Sequence, residues 1–466
     1  MRRVLTGVQA ATAIALFLGP ATAHLAAQDE LARQARTILA ERCHACHGDG
    51  GSAEGGLNFV LDRRRLVERK KIVPGDASQS LMFRQVKSGN MPKDDDPLSA
   101  AEIDTLKRWI EAGAPDFNPA AAQREFISSF AMMDFMQHDL ESVEERLRPF
   151  VRYFTITHLY NAGLSDDELE TYRVALSKLV NSLSWGSEIV RPKPIDPAMT
   201  VFRIDINDFG WTEKTWDCVI ACNPYAVTFD MPAAKFCYSA TKCALPHVRA
   251  DWFVAAAAVP PLYHEILLLP TTDRVLEIRL HVDVARNQRT GRAARAGFNG
   301  SGVSTNNRLI ERHGSTLTGG AYWKSYDFSG NDGKKNLFAH PIGPGGTNGF
   351  EHDGGEIIFN LPNGLQAYFL TDGKGTRIDK GPIAIVRDPR RPDSAVVNGL
   401  SCMSCHSSGM IPKDDQVRAT VLATSSVYKK EEVEIVKALY PEKADFDALL
   451  RTDAERFANA VAKAGG

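Results

Sequence analysis

The chain has 466 residues, 44% hydrophobic and 24% charged. These are values of folded globular proteins, and the length excludes a single ordinary core in favour of two or three domains. Its 55 Lys and Arg against 57 Asp and Glu give a formal charge of −2, which excludes nucleic acid and other polyanions as the main partner.

The chain opens MRRVLTGVQAATAIALFLGPATAHLAAQDE. Arg2 and Arg3 precede an apolar run from Val8 to Leu18, with small residues at Ala21 and Ala23, so residues 1–27 read as a secretory signal peptide cleaved after Ala23 or Ala27. The run falls short of the ~20 apolar residues that span a bilayer, so no integral membrane anchor is expected and the mature chain is assigned to the periplasm. Removing the peptide leaves 53 Lys and Arg against 57 acids, a charge of −4. Outside the cytoplasm, the eight cysteines are expected in disulfides, metal sites or cofactor attachments.

Leu31, Ala35, Ile38 and Leu39 recur at helical spacing behind Asp29, a candidate cap, and predict a helix running into LAERCHACHGDGG. There Cys43, Cys46 and His47 form C-x-x-C-H. In an exported chain this spacing is that of covalent haem attachment: the thiols form thioethers with the two vinyl groups, and the imidazole becomes the proximal iron ligand. Zinc would need two further ligands nearby, and a thioredoxin-like pair would need a βαβ context without the histidine. His44, inside the motif, is expected to face solvent.

In SGNMPKDDDP, Met91 precedes a proline, which favours extended backbone and presents the thioether from a loop. It lies 44 residues beyond His47, enough chain to reach the opposite haem face. Its rival, Met82, stands beside Leu81, Phe83 and Val86 in a helix-like run and reads as packing. Ser99 and Glu102 form a capping box ahead of Ile103, Leu106, Trp109 and Ile110, a helix that Pro115 ends.

Residues 36–116 resemble the cytochrome c domain common in planctomycete proteins. The matching residues are Cys43, Cys46 and His47, Pro74-Gly75-Asp76, Ser80-Leu81, Met91-Pro92, Ile103, Leu106, Trp109-Ile110 and Gly113-Ala114-Pro115. The resemblance implies a small all-helical cytochrome of class I type with His47 and Met91 as axial ligands. It is silent about substrate.

Residues 119–190 carry helical patterning. Ser165 and Glu168 form a second capping box before Leu169, Tyr172, Leu176, Leu179 and Leu183. His138 and His158 read as partly buried, hydrogen-bonded histidines there, and the cluster Met132, Met133 and Met136 as core filling. RPKPIDP at 191–197 is a connector into a β-rich domain over 191–394. In that domain VFRIDIN and VLEIRLHVDV alternate as strands, and Pro362-Asn363-Gly364 marks a hairpin. Cys218, Cys222, Cys237 and Cys243 read as two disulfides of open connectivity, with copper ligation alongside His247 as the alternative. The Gly-rich stretch from Phe298 to Gly355 predicts irregular loops, and makes His313, His340 and His352 the leading ligand candidates of this region. DFSGNDG, from Asp327, is a weak match to a calcium loop.

The segment 395–466 holds the second motif, NGLSCMSCHSSGM, with Cys402, Cys405 and His406. Met410 follows His406 by four residues, a reach of at most ~14 Å, too short to round a haem edge comfortably. Residues 411–466 contain no Met or His. The sixth position of a second haem therefore falls to the preceding domain, with His313, His340 and His352 leading, to a downstream lysine or tyrosine, or stays open.

The expected whole is an α+β multidomain protein: an all-α cytochrome c domain over 28–118, a mixed helical and β-rich middle, and a C-terminal haem-binding helical segment, with two covalently bound haem c groups. The expected function is electron transfer with a redox partner protein. The alternative is a di-haem oxidoreductase, peroxidase- or oxygenase-like, whose open second haem takes a small-molecule substrate.

Overall fold

The computed structural model describes residues 20–48, 56–93, 95–117 and 124–466, with side chains from residue 27 onward. Residues 1–19 of the expected signal peptide lie outside the described residues. Two compact units emerge, the first Met1–Phe126 with Asn161–Ser165, the second Ile127–Tyr160 with Asp166–Gly466.

The first unit is helical: α1 (Pro20–Arg42), α2 (His44–His47), α3 (Arg63–Glu68), α4 (Leu81–Lys87) and α5 (Ala100–Glu111). Asp29 lies inside α1 and does not cap it. Apolar residues at helical spacing converge on one core, in which Leu39, Leu66, Leu106, Trp109 and Ile110 are fully buried. The capping box is present as the sequence predicts: Ser99 Oγ accepts from Glu102 N at 3.2 Å, and Ser99 N donates to the Glu102 carboxylate at 2.6 Å. Trp109 stacks on Phe117 with ring centroids 5.0 Å apart, and its indole N–H donates to Pro115 O at 2.9 Å.

The second unit opens with α6 (Ser129–Ser142), β1 (Val151–Thr155), α7 (Thr157–Asn161), α8 (Asp166–Ser182), β2 (Lys193–Pro194) and β3 (Val201–Asp205). Helices dominate residues 129–182 as expected, but VRYFT forms a wholly buried strand among them. It pairs antiparallel with β3 and parallel with β4 (His247–Arg249), in a sheet ordered β2-β3-β1-β4. Met132, Met133 and Met136 pack beneath it, as expected of core methionines.

Residues 213–289 depart from the β-rich expectation. They form α9 (Glu213–Cys222), α10 (Pro232–Thr241), α11 (Ala250–Ala256), α12 (Leu262–Ile266), α13 (Asp273–Arg279) and α14 (Val284–Arg289). VLEIRLHVDV, read as an alternating strand, enters the helix α13 instead. Thr272 caps its N-terminus by accepting from Val275 N. Leu276 and Leu280, four apart, are fully buried, while Ile278 is 63% exposed. A period of two and a period of 3.6 coincide at i and i+4, and the cap selects the helix.

The β character sits in one antiparallel meander: β5 (Ala294–Asn299), β6 (Asn307–Gly314), β7 (Ala321–Asp327), β8 (Gly354–Asn360) and β9 (Gln366–Asp372). The Pro362-Asn363-Gly364 hairpin joins β8 to β9, with Asn360 opposite Gln366. A two-stranded ribbon, β10 (Lys380–Gly381) and β11 (Val396–Val397), leads to α15 (Leu400–Cys405), α16 (Val417–Ala423), α17 (Lys430–Leu439) and α18 (Lys443–Ala464). Leu309 and Tyr326, opposite one another, join a core with Val417, Val421 and Val436 of α16 and α17. On the other face, Arg312 and Trp323 meet α18. Asp453 accepts from Arg312 at 2.7 and 2.9 Å and from the Trp323 indole at 2.9 Å.

Candidate haem centres

In the first unit, α1 ends at Arg42 and the motif continues as the single turn α2. Arg42 ties this corner to the start of α5, lying 3.2 Å from Asp95 and 3.8 Å from Glu102. His47 is half-buried, and its Nδ1 is 3.3 Å from Leu57 O. A donor at Nδ1 places the proton there and leaves Nε2 for a metal, as a backbone carbonyl does for a ligating histidine. Cys43 is half-buried against the core, and burial pushes its thiol up to about 11; Cys46 is exposed. Met91 and Met82 both pack against the same core, Met82 from α4 and Met91 from the loop after it. His44, expected to face solvent, is half-buried, its ring beside Gly48.

The second motif is held more tightly. Asn398 is buried and hydrogen-bonded to His264 Nε2 at 2.7 Å, and its N–H donates to Asp379 O. Gly399 opens α15 at φ 86°, and an added Cβ would lie 2.5 Å from Ala258 O, so only glycine fits. Cys402 is 2% exposed, and burial pushes its thiol well above the ordinary range. Cys405 Sγ accepts from the Arg390 guanidinium at 2.5 Å. His406 stacks on Tyr368, its centroid 6.1 Å away, and its Nδ1 is 3.1 Å from Gly409 O. Gly409, at φ 92°, stands against Ala454 and Phe457 of α18, so the last helix backs the loop that orients the imidazole.

Cys402, Cys405 and His406 open onto a cavity of ≈ 300 Å³. Its walls are apolar, with Phe298, Ile310, Trp323, Ile358 and Leu370 from the meander and Met410 from the motif loop. Its polar part is cationic at Arg308, Arg390 and Lys413, and acidic at Asp327 and Glu356. Arg308 lies 2.6 Å from Asp327 and 3.6 Å from Glu356. Glu356 Oε2 is in turn 3.7 Å from His406 Nε2. Burial works against the Glu356 charge, but the facing His406 imidazole and the Arg308 charge hold its carboxyl down to about 2. An apolar slot with cysteine thiols and an imidazole at one wall and cations for carboxylates suits a haem with its two propionates.

The three loop histidines do not line this cavity. His313 is fully buried on β6, bonded to Glu311 at 2.9 Å and 3.2 Å from Asn287 Nδ2. His340 lies 3.3 Å from Asn348 O in an exposed contact, and His352 packs edge-on against Tyr326. Asp327 is committed to Arg308, which uses up the first residue of the calcium-like loop. Cys218, Cys222, Cys237 and Cys243 carry free thiols; Cys218 and Cys222 lie on α9, and Cys237 is buried in α10. His247 is buried beside Phe229, and burial lowers its pKa to about 4. Among the described residues no group of three or more His, Cys, Asp or Glu is placed to hold a metal ion. His158 is half-buried and pairs with Asp251 as expected, whereas His138 bonds Asp134 O from an exposed position.

A small helical domain built round C-x-x-C-H, with a methionine on a later loop, defines a haem-binding cytochrome of the c type. Residues 43–95 match the family model of planctomycete cytochrome C. No curated protein and no solved structure matches the chain. Among the described residues no helix is long and apolar enough to cross a membrane.

Proposed function

We propose that the chain is an exported di-haem c-type cytochrome that transfers electrons to or from a redox partner protein. The first haem is held by Cys43 and Cys46, with His47 and Met91 as axial ligands. The second is held by Cys402 and Cys405, with His406 as its proximal ligand. The observation that carries the second site is the opening of Cys402, Cys405 and His406 onto one apolar cavity with cations at its wall. Bound haem supplies a one-electron couple whose potential its axial ligands and burial set. The residues of this chain fix the rings: Leu57 O orients His47, and Gly409 O orients His406.

A second reading, a haem-dependent oxidoreductase acting at the C-terminal haem, is favoured by the polar set Arg308, Asp327 and Glu356 on a wall that none of the three histidines reaches. Intact mass of the mature protein tests the first reading: it should carry two haems, and Cys402→Ala/Cys405→Ala should carry one. Two haems in that variant would remove the second site. Carbon monoxide added to reduced protein separates the two readings: binding at the second haem supports the enzyme, and a haem pair that refuses it supports relay alone.

A further inference from the structure

Resting on the di-haem reading, we propose that Glu356 is the distal group of the second haem, its carboxylate oxygen meeting the iron on the face opposite His406. The imidazole commits Nδ1 to Gly409 O at 3.1 Å, so Nε2 is the nitrogen left for iron. Nε2 stands 3.7 Å from Glu356 Oε2. Two ligand atoms facing each other across one metal stand about 4 Å apart, the sum of a metal–nitrogen and a metal–oxygen bond of ~2 Å each. The carboxylate is already at that separation.

Haem attachment also changes what Glu356 can bond. Its carboxylate lies 3.7 Å from the His406 imidazole and 3.6 Å from the Arg308 guanidinium. When the Cys402 thiol adds across a vinyl group, sulfur bonds to one vinyl carbon and the thiol hydrogen passes to the other, with no oxidant or reductant needed. With the haem attached there, its iron would take His406 Nε2. Arg308 remains, and a buried carboxylate oxygen is left to find a partner.

The side chain is poorly placed to retreat. Glu356 lies in β8 opposite Leu370, and its backbone N–H donates to Ser325 Oγ at 2.8 Å. Arg308, which lies between it and Asp327, is itself fixed on β6. Competing donors are spent or misplaced. Met410 lies on the same short loop as His406, and Lys413 Nζ turns to Gly300 O at 3.5 Å.

The test uses the full-length protein carrying two haems by mass, with Glu356→His and Glu356→Gln. If Glu356 faces the iron, Glu356→His gives the second haem two imidazoles and converts its ferric electron paramagnetic resonance signal to low spin. Glu356→Gln removes a competing anion and raises imidazole affinity at that haem about tenfold or more, a difference of ~1.4 kcal/mol. A two-haem Glu356→His protein with the wild-type spin state overturns the proposal. Should that variant lose its second haem, Glu356→Gln decides: imidazole affinity within about twofold of wild type overturns it equally. A wild-type chain with a single haem overturns the di-haem reading itself, a result no Glu356 variant can produce.

Discussion

Glu311, buried on β6 of the meander, should be its most sensitive single charge. It and Arg295 are fully buried, their side chains 2.5 Å apart, and the carboxylate also accepts from Gln288 at 2.9 and 3.1 Å, His313 at 2.9 Å and Tyr326 at 3.2 Å. Glu311→Gln keeps the volume but removes the charge, leaving the Arg295 guanidinium buried without a counter-ion. Arg295 Nη1 already lacks a hydrogen-bond partner. Breaking a buried pair from one side costs ~3–5 kcal/mol, a large share of the ~5–15 kcal/mol by which domains are stable. With a urea m-value of ~2–3 kcal/mol/M, the unfolding midpoint should fall by about 1–2.5 M.

The effect should depend on pH. Burial opposes the Glu311 charge, but Arg295, His313 and Gln288 outweigh it and hold the carboxyl well below its ordinary value. A depressed folded pKa contributes stability that is fully present above the unfolded value of ~4.5 and is lost as pH falls through the folded pKa. The gap between wild type and Glu311→Gln should therefore narrow as pH drops below about 4.5. The pair Arg295→Met/Glu311→Leu should be more stable than Glu311→Gln, because it removes both charges together. Urea unfolding followed by tryptophan fluorescence at pH 7 and pH 3 is the assay. A loss under ~1 kcal/mol at pH 7, or a gap that ignores pH, would refute this account of the cluster.

Met91→Ala should lower the reduction potential of the first haem, and Met82→Ala should leave it unchanged; spectroelectrochemical titration would reveal the reverse pattern if the helix methionine were the ligand. Ser99→Ala removes the side-chain half of the capping box and should destabilise the first unit by ~1 kcal/mol, read from its thermal unfolding. An unchanged transition would mean that α5 starts on packing alone.

The chemistry legible in the sequence was local chemistry. C-x-x-C-H needs no fold to be recognised, and Ser99 with Glu102, or Pro362-Asn363-Gly364, carry their geometry within a few residues. What the sequence hid depends on distant partners. VLEIRLHVDV satisfied two periods at once, and its cap, Thr272, lay just outside the pattern. VRYFT is too short to stand out between helices, and becomes a strand only when β3 and β4 arrive. Arg308 and Glu356 lie on different strands, and the sheet register brings them to one cavity. A signal was present all the same. GGEIIFN and NRLIERHG place charges inside otherwise apolar strands, and such charges are buried only where something answers them.

The clasp of α18 on the meander also ties the sheet to the loop of the second motif. This helix backs Gly409, whose carbonyl steadies the His406 ring. Until it docks, the loop after Cys405 is uncovered on that side. Asp453, which accepts from Arg312 and Trp323, is the contact that holds the helix against the sheet. Truncating this helix would accordingly act on cofactor retention before it acted on the sheet.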